Sequence, residues 1–297
     1  MGLALIAGQG GVPPHLARVL LARGEEPVLC EVEQFPAQVA GEMPRLGFRL
    51  ETFGSLLAEL RARGVTRLCM AGAMRRPEVD PGRIDAATAP LVPRLMAAMA
   101  RGDDGTLREI VAIIEEAGIA VVGAAEIAPD LLPEAGVLVG ALPPDMRAAM
   151  PAAEAALAEM GRSDTGQAVV VRDGTVVARE DARGTDAMLA DLAQGVFNPL
   201  DHADCALDAA ANWRRAADAR ATPAFLYKAP KPGQEMRVDM PVIGPDTAAR
   251  AAQAGLAGIV IAAGGVMVLD RARVIAALAE AGMFLWVRDA GSSGGQG

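Results

Sequence analysis

Histidine is almost missing from this chain of 297 residues, which holds only His15 and His202. Two histidines cannot build a three-His zinc site or a His-rich iron site. A catalytic metal would therefore take carboxylate ligands, which favours Mg2+ or Mn2+. Aromatic residues make up 3% of the chain, which argues against stacking on nucleic-acid bases. Positive charge is also short: 28 Lys and Arg face 37 Asp and Glu, giving a net charge of −9 and a pI near 4.9. That sign is wrong for tracking a phosphate backbone, although it leaves room for a local basic pocket. The three cysteines, Cys30, Cys69 and Cys205, are odd in number and widely spaced, and read as buried thiols in a reducing cytoplasm. No signal-peptide pattern opens the chain. Residues 251–269 carry no charge, but Gly255, Gly258, Gly264 and Gly265 divide them into pieces too short to span a membrane. The expectation is a soluble, cytoplasmic protein.

What is present is an alternation of short apolar runs and amphipathic stretches. Leu3 to Ala7 reads as a strand, the loop Gly8-Gln9-Gly10-Gly11 follows, and a helix runs through Leu16, Val19 and Leu20. Pro27 to Val32 and Thr66 to Ala71 read as further strands, with a helix from Phe53 to Arg63 between them. Asp103 or Asp104 reads as the cap of a helix that Gly118 stops, and Ile119 to Val122 as another strand. Strands alternating with helices imply a parallel, Rossmann-like N-terminal domain, residues 1–130. Pro133, Pro143 and Pro144 mark a linker at 131–144. Residues 145–289 read as a distinct α/β catalytic domain with a mixed sheet. In it Arg172-Asp173-Gly174 turns a hairpin, and helices are expected at 146–160, 186–194, 204–219 and 271–281. Residues 290–297 read as a disordered tail.

Several clusters carry chemistry. The loop Gly8, Gly10, Gly11 lies between strand and helix, where backbone N–H groups favour a phosphate; it reads equally as a tight turn. Gly72 and Arg75-Arg76 end the third strand at the carboxyl edge of the sheet, either as a phosphate contact or as a solvated pair. Asp103 and Asp104 stand together where one cap would suffice. Gly184-Thr185-Asp186 places a hydroxyl and an acid at a helix start. The densest stretch, Lys228 to Pro241, packs Lys228, Lys231, Gln234, Glu235, Arg237 and Asp239 into a proline-stiffened loop. Read as extended, it puts Glu235, Arg237 and Asp239 on one side: a carboxylate pair for Mg2+ and a guanidinium for phosphate.

At these residues the chain resembles the LpxI-type UDP-2,3-diacylglucosamine pyrophosphatases of lipid A biosynthesis. The resemblance rests on Ile6-Ala7-Gly8 with Pro13, Ala71-Gly72 with Arg76-Pro77, and Gly102-Asp103-Asp104. It continues through Ser163 to Gln167, Gly184 to Leu189, Lys228 to Pro232, Gln234-Glu235, and Arg237 with Asp239. It departs at Gln9, which interrupts a glycine run, and at Arg183, where an acid is usual.

The resemblance implies an Mg2+-dependent hydrolase, with Mn2+ able to substitute, that splits UDP-2,3-diacylglucosamine into UMP and 2,3-diacylglucosamine 1-phosphate. It implies Asp239 as the key carboxylate, with Glu235 and Asp186 as further metal contacts. Arg237, Lys228 and Lys231 would then stabilise phosphate charge. Gly8, Gly10, Gly11, Gly72, Arg76, Asp103, Asp104, Gly184, Thr185 and Gln234 would bind substrate held between the two domains. It further implies a homodimer with exchanged domains, and peripheral contact with the inner membrane through the lipid substrate. Two other readings stand beside it: a nicotinamide-dependent oxidoreductase using Tyr227 and Lys228, and a non-enzymatic UDP-sugar-binding protein.

Overall fold

A computed structural model describes residues 2–74, 78–144, 146–195 and 223–289. The chain divides into two compact units, Met1–Asp130 with Glu235–Asp239, and Leu131–Gln234 with Met240–Gly297. The first unit opens with β1 (Gly2–Ala7), α1 (Val12–Ala22), β2 (Val28–Val32) and β3 (Arg45–Phe48). It continues with α2 (Phe53–Ala62), β4 (Val65–Ala71), α3 (Val92–Met99), α4 (Asp103–Glu116), β5 (Ala120–Val121) and α5 (Ala124–Ile127). Its five strands are all parallel in the order β3-β2-β1-β4-β5, the doubly wound arrangement. Apolar residues alternating with polar ones on α2 and α4 turn Leu56, Leu57, Leu60, Val111 and Ile114 inward against Ile6, Cys30 and Leu68. Burying each such aliphatic side chain contributes roughly 1.5–3 kcal/mol.

The second unit contains β6 (Gly136–Val139), α6 (Met146–Ser163), β7 (Ala168–Arg172), β8 (Thr175–Arg179), α7 (Thr185–Gln194) and β9 (Phe225–Lys228). After these come β10 (Val242–Ile243), α8 (Pro245–Gln253), β11 (Gly258–Ala262), β12 (Met267–Val268), α9 (Arg271–Glu280) and β13 (Phe284–Arg288). Its main sheet runs β6-β13-β11-β9-β7-β8. The three central strands are parallel, and β6, β7 and β8 pair antiparallel. Both faces are covered. Leu226, Ile259, Ile261, Leu285 and Val287 share one core with residues of α7, α8 and α9. Tyr227, Val260, Phe284 and Trp286 share another with α6. Burial on both sides is why these strands read as unbroken apolar runs.

Four expectations need correction or placement. Neither Asp103 nor Asp104 caps α4: Gly102, at φ 98°, takes that position, and both acids lie in the first turn, where the helix dipole favours them. Inside the stretch read as a linker, Gly136–Val139 forms an antiparallel edge strand on β13. Val137 on it is 45% exposed, as an edge position allows, and the flanking Pro133, Pro143 and Pro144 outweigh the short apolar run Gly136–Val139 in a reading by composition. The Asp-Gly hairpin is as read, with Asp173 and Gly174 both at positive φ. The helix expected at 204–219, the tail at 290–297, Cys205, His202 and Arg76 lie outside the described residues.

Candidate active site

In the first unit, β1 and β4 are neighbours at the point where strand order reverses, the usual ligand crevice of a doubly wound sheet. Here that edge is closed by backbone. Gly8 N–H donates to the Ala71 carbonyl at 2.8 Å, and Gln9 and Ala73 exchange bonds at 2.7 and 2.8 Å. A Cβ on Gly8 would come 2.6 Å from the Ala73 carbonyl oxygen. One on Gly72, at φ +89°, would come 2.7 Å from that of Gln9. Both glycines thus have a structural reason in close chain approach. The first turn of α1 contains Pro13 and Pro14, which bring no N–H to an anion. Gly10, at φ 99°, and Gly11 complete the loop, with open space around the Gly10 Cα.

The same unit carries a charged face on α4. Asp104 accepts from Arg108 at 2.6 Å, and Glu115, further along, accepts from Arg237 at 2.6 Å. Residues 104, 108 and 115 recur at helical spacing and share that face. An open pocket of about 450 Å³ is lined by Arg101, Asp104, Gly105, Arg108, Glu109 and Ala112. Against the expectation of an extended segment, 235–239 forms one helical turn, with the N–H groups of Val238 and Asp239 donating to the Glu235 carbonyl at 3.2 and 3.1 Å. The prolines lie outside these five residues, so nothing forbids the turn. Four residues apart in such a turn, Glu235 and Asp239 still share a side.

Arg237 is clamped: Nε and Nη2 donate to Glu235 at 2.9 and 2.8 Å, and Nη1 to Glu115. The Arg237 guanidinium holds the Glu235 carboxyl below its ordinary range, against the opposing effect of burial, with Arg108 adding to the lowering.

In the second unit, buried polar side chains converge on the carboxyl end of β9 and the adjoining ends of β7 and β8. Lys228, the last residue of β9, is buried and donates Nζ to the Thr185 hydroxyl at 2.8 Å. Thr185 donates in turn to Glu180 Oε1 at 2.8 Å, and Glu180 Oε2 accepts the Gln167 N–H at 2.8 Å. Gln234 bonds the Gln167 side chain at 3.2 Å and accepts the Lys231 N–H at 2.8 Å, while Lys231 Nζ pairs with Asp164. Of the 28 Lys and Arg, only Lys228 and Lys231 are lysines, and both stand in this network.

The structure therefore gathers Gly184, Thr185, Lys228, Lys231 and Gln234 in one unit, and Asp103, Asp104, Glu235, Arg237 and Asp239 in the other. Gly184, at φ 88°, sets the N-terminus of α7, and Asp186 in its first turn pairs with Arg250 at 3.5 Å. Among the described residues no three of His, Cys, Asp or Glu form a ligand cluster, so Asp186, Glu235 and Asp239 make no all-protein cage. Mg2+ is commonly held by one or two carboxylates, with substrate phosphates and water completing the shell, and the Glu235–Asp239 pair fits that donor set. Tyr227 and Lys228, adjacent on β9, point to opposite faces, with Tyr227 buried in the core shared with α6; they do not form a catalytic pair. Burial pushes the thiols of Cys30 and Cys69 up to about 12, so neither is a nucleophile. Glu180 escaped the sequence reading: between Arg179 and Asp181 it looks like part of a solvated charge run, and only the hairpin's closure turns it inward.

Fold and site together define a two-unit α/β protein with a lysine- and carboxylate-bearing sheet edge, suited to an anionic, phosphate-bearing ligand. No helix of the described residues is long and apolar enough to cross a membrane. The models of the LpxI N-terminal and C-terminal domains match residues 2–131 and 134–286. The chain belongs to the LpxI family. The UDP-2,3-diacylglucosamine pyrophosphatase LpxI of Caulobacter vibrioides is 37% identical over 287 residues, 95% of this chain and 96% of that protein. Among solved structures, the UDP-glucose 4-epimerase of Thermus thermophilus, complexed with NAD, gives a TM-score of 0.30 at 16% identity, over 97% of this chain and 86% of that one. That likeness is too weak to bear on fold or function.

Proposed function

We propose that this protein hydrolyses the pyrophosphate bond of UDP-2,3-diacylglucosamine, releasing UMP and 2,3-diacylglucosamine 1-phosphate for lipid A biosynthesis. The observation that supports it most is the full-length likeness to the Caulobacter pyrophosphatase together with the placement of both lysines at one buried sheet edge. Pyrophosphate hydrolysis needs charge neutralisation and a positioned water more than a covalent nucleophile, which suits a chain with almost no histidine and with Cys30 and Cys69 buried and unreactive.

In this reading Asp239, with Glu235, anchors Mg2+, which when bound neutralises phosphate charge; Mn2+ substitutes. Asp239 also orients the attacking water. Lys228 and Lys231 hold phosphate oxygens, and Arg237 meets phosphate by giving up Glu115, the more exposed of its two partners at 43% against 19% for Glu235. Gly10, Gly11, Arg76, Asp103, Asp104, Gly184 and Gln234 bind substrate, Gly8 and Gly72 shape the loop that carries Gly10 and Gly11, Thr185 acts through Lys228, and Asp186 adds a metal contact. The protein works in the cytoplasm as a homodimer with exchanged domains, at the inner-membrane surface where its lipid substrate lies.

The test is phosphorus NMR with Mg2+ and UDP-2,3-diacylglucosamine. Wild type should yield UMP and a sugar 1-phosphate, EDTA should stop the reaction, and Asp239→Ala should slow it by more than about 100-fold while its circular dichroism is unchanged. An intact pyrophosphate with wild type would leave a UDP-sugar-binding protein without turnover. Full activity in Asp239→Ala would remove that residue from the mechanism.

A further inference from the structure

A buried ammonium needs fixed acceptors, because in low dielectric an unpaired charge is expensive. Lys228 is 7% exposed, Thr185 7% and Glu180 8%, and the three are linked in one direction. Lysine carries only donors, so the hydroxyl that receives its N–H must turn its own proton elsewhere. That proton goes to Glu180 Oε1, while Oε2 takes the Gln167 backbone N–H. Only a carboxylate offers two acceptor oxygens at this place; an amide would set a donor against either the Thr185 hydroxyl or the Gln167 N–H. The packing gives Glu180 little freedom: its own N–H donates to the Ala168 carbonyl at 2.9 Å, and a Cβ on Gly166 would come 2.6 Å from the Glu180 carbonyl oxygen.

We propose that Glu180 is a positioning residue for the reaction: through Thr185 it fixes the Lys228 ammonium at the carboxyl edge of β9, where that charge meets the substrate's phosphate. The inference deepens the pyrophosphatase reading and rests on it for its kinetic arm. It also explains why this arginine-rich chain has lysine here. A compact ammonium reaches the Thr185 hydroxyl as a point charge, whereas a planar five-donor guanidinium would have to fit its whole fork into the same buried place.

The experiment compares wild type, Glu180→Gln, Thr185→Val and Thr185→Ser. Glu180→Gln and Thr185→Val should lower kcat by roughly 10- to 100-fold, the range typical when an outer partner that orients a functional group is lost, with KM near the wild-type value and the melting temperature retained. Thr185→Ser, which keeps the hydroxyl, should restore most of the rate. With only two lysines in the chain, 15N-lysine labelling gives two ammonium groups to observe, and Lys231→Arg assigns them. The Lys228 ammonium should show a protected 1H–15N signal in wild type and Thr185→Ser, and lose it in Glu180→Gln and Thr185→Val. Unchanged kcat, a loss confined to KM or to folding, or a Lys228 signal indifferent to Glu180→Gln would overturn the proposal. If wild type fails to hydrolyse UDP-2,3-diacylglucosamine, the pyrophosphatase reading falls, and the ammonium signal still decides whether Glu180 holds Lys228.

Discussion

The two sheets offer the same kind of edge and use it differently. In the first unit, the carboxyl ends of β1 and β4 are tied together by main chain, through Gly8 to Ala71 and Gln9 to Ala73. In the second, the carboxyl end of β9 carries a side-chain network of Lys228, Thr185, Glu180, Gln167 and Gln234. Fold analogy alone would send a ligand to the first edge, since it stands at the strand-order reversal. The chemistry points to the second, where charged groups are buried and held, and to the Glu235–Asp239 turn. Topology names where a site is allowed; the cost of burying charge is the ground for proposing one at the second edge.

The largest effect expected from this contrast is at Lys228. Lys228→Met keeps the aliphatic stem and removes the ammonium, so turnover of UDP-2,3-diacylglucosamine should fall by about 100- to 1,000-fold, as when one preorganised donor to a developing anion is lost. Circular dichroism should show an unchanged fold. A variant with near wild-type turnover would move the phosphate-binding role away from this edge.

Next in size is a change at the closed edge. Gly72→Ala puts a Cβ 2.7 Å from the Gln9 carbonyl oxygen at a φ of +89°. Strain of this kind costs of order 1–3 kcal/mol. Urea unfolding should therefore show a loss of about 2 kcal/mol, with activity per folded molecule largely kept. The opposite pattern, stability retained and substrate affinity lost, would mean that the glycine edge serves the ligand and that the contrast drawn between the two sheets is wrong.

How much of this was legible in the sequence depends on how local each signal is. β1, β2, β4 and β5, the Asp173-Gly174 hairpin and the Lys228 loop announced themselves through short-range patterns: apolar runs, turn residues, an unusual density of charge. β6 did not, because prolines on either side give its stretch the composition of a linker. β3 (Arg45–Phe48) did not, because only Phe48 of its four residues is buried and Arg45 points a cation at Glu31. α8 did not, because it packs through Ala248 and Ala251 rather than large side chains. Site residues split in the same way. Lys228 and Asp239 stood out by composition, whereas the pairing of Arg237 with Glu115 spans 122 positions and has no local trace. The turn at 235–239 was misread as extended because the flanking prolines dominate the composition of a segment they do not occupy.

The smallest effect expected is in the acid response of the first unit. Glu235 has its pKa lowered from 4.5, first by the Arg237 hydrogen bonds. A carboxyl with a depressed folded-state pKa contributes stability that is present above the unfolded value and lost as pH falls through the folded one. Wild type should then exceed Arg237→Leu in stability at neutral pH by no more than about 1 kcal/mol, since both partners retain contact with solvent. The gap should shrink as the pH falls from 4.5 through the lowered folded-state value, below which Glu235 is protonated in both proteins. Denaturant melts of the pair at successive pH values measure it. A gap that stays constant down to strong acid would mean that Arg237 acts by packing, and that the charged turn of the first unit is a structural strut, leaving the buried edge of the second as the seat of the chemistry.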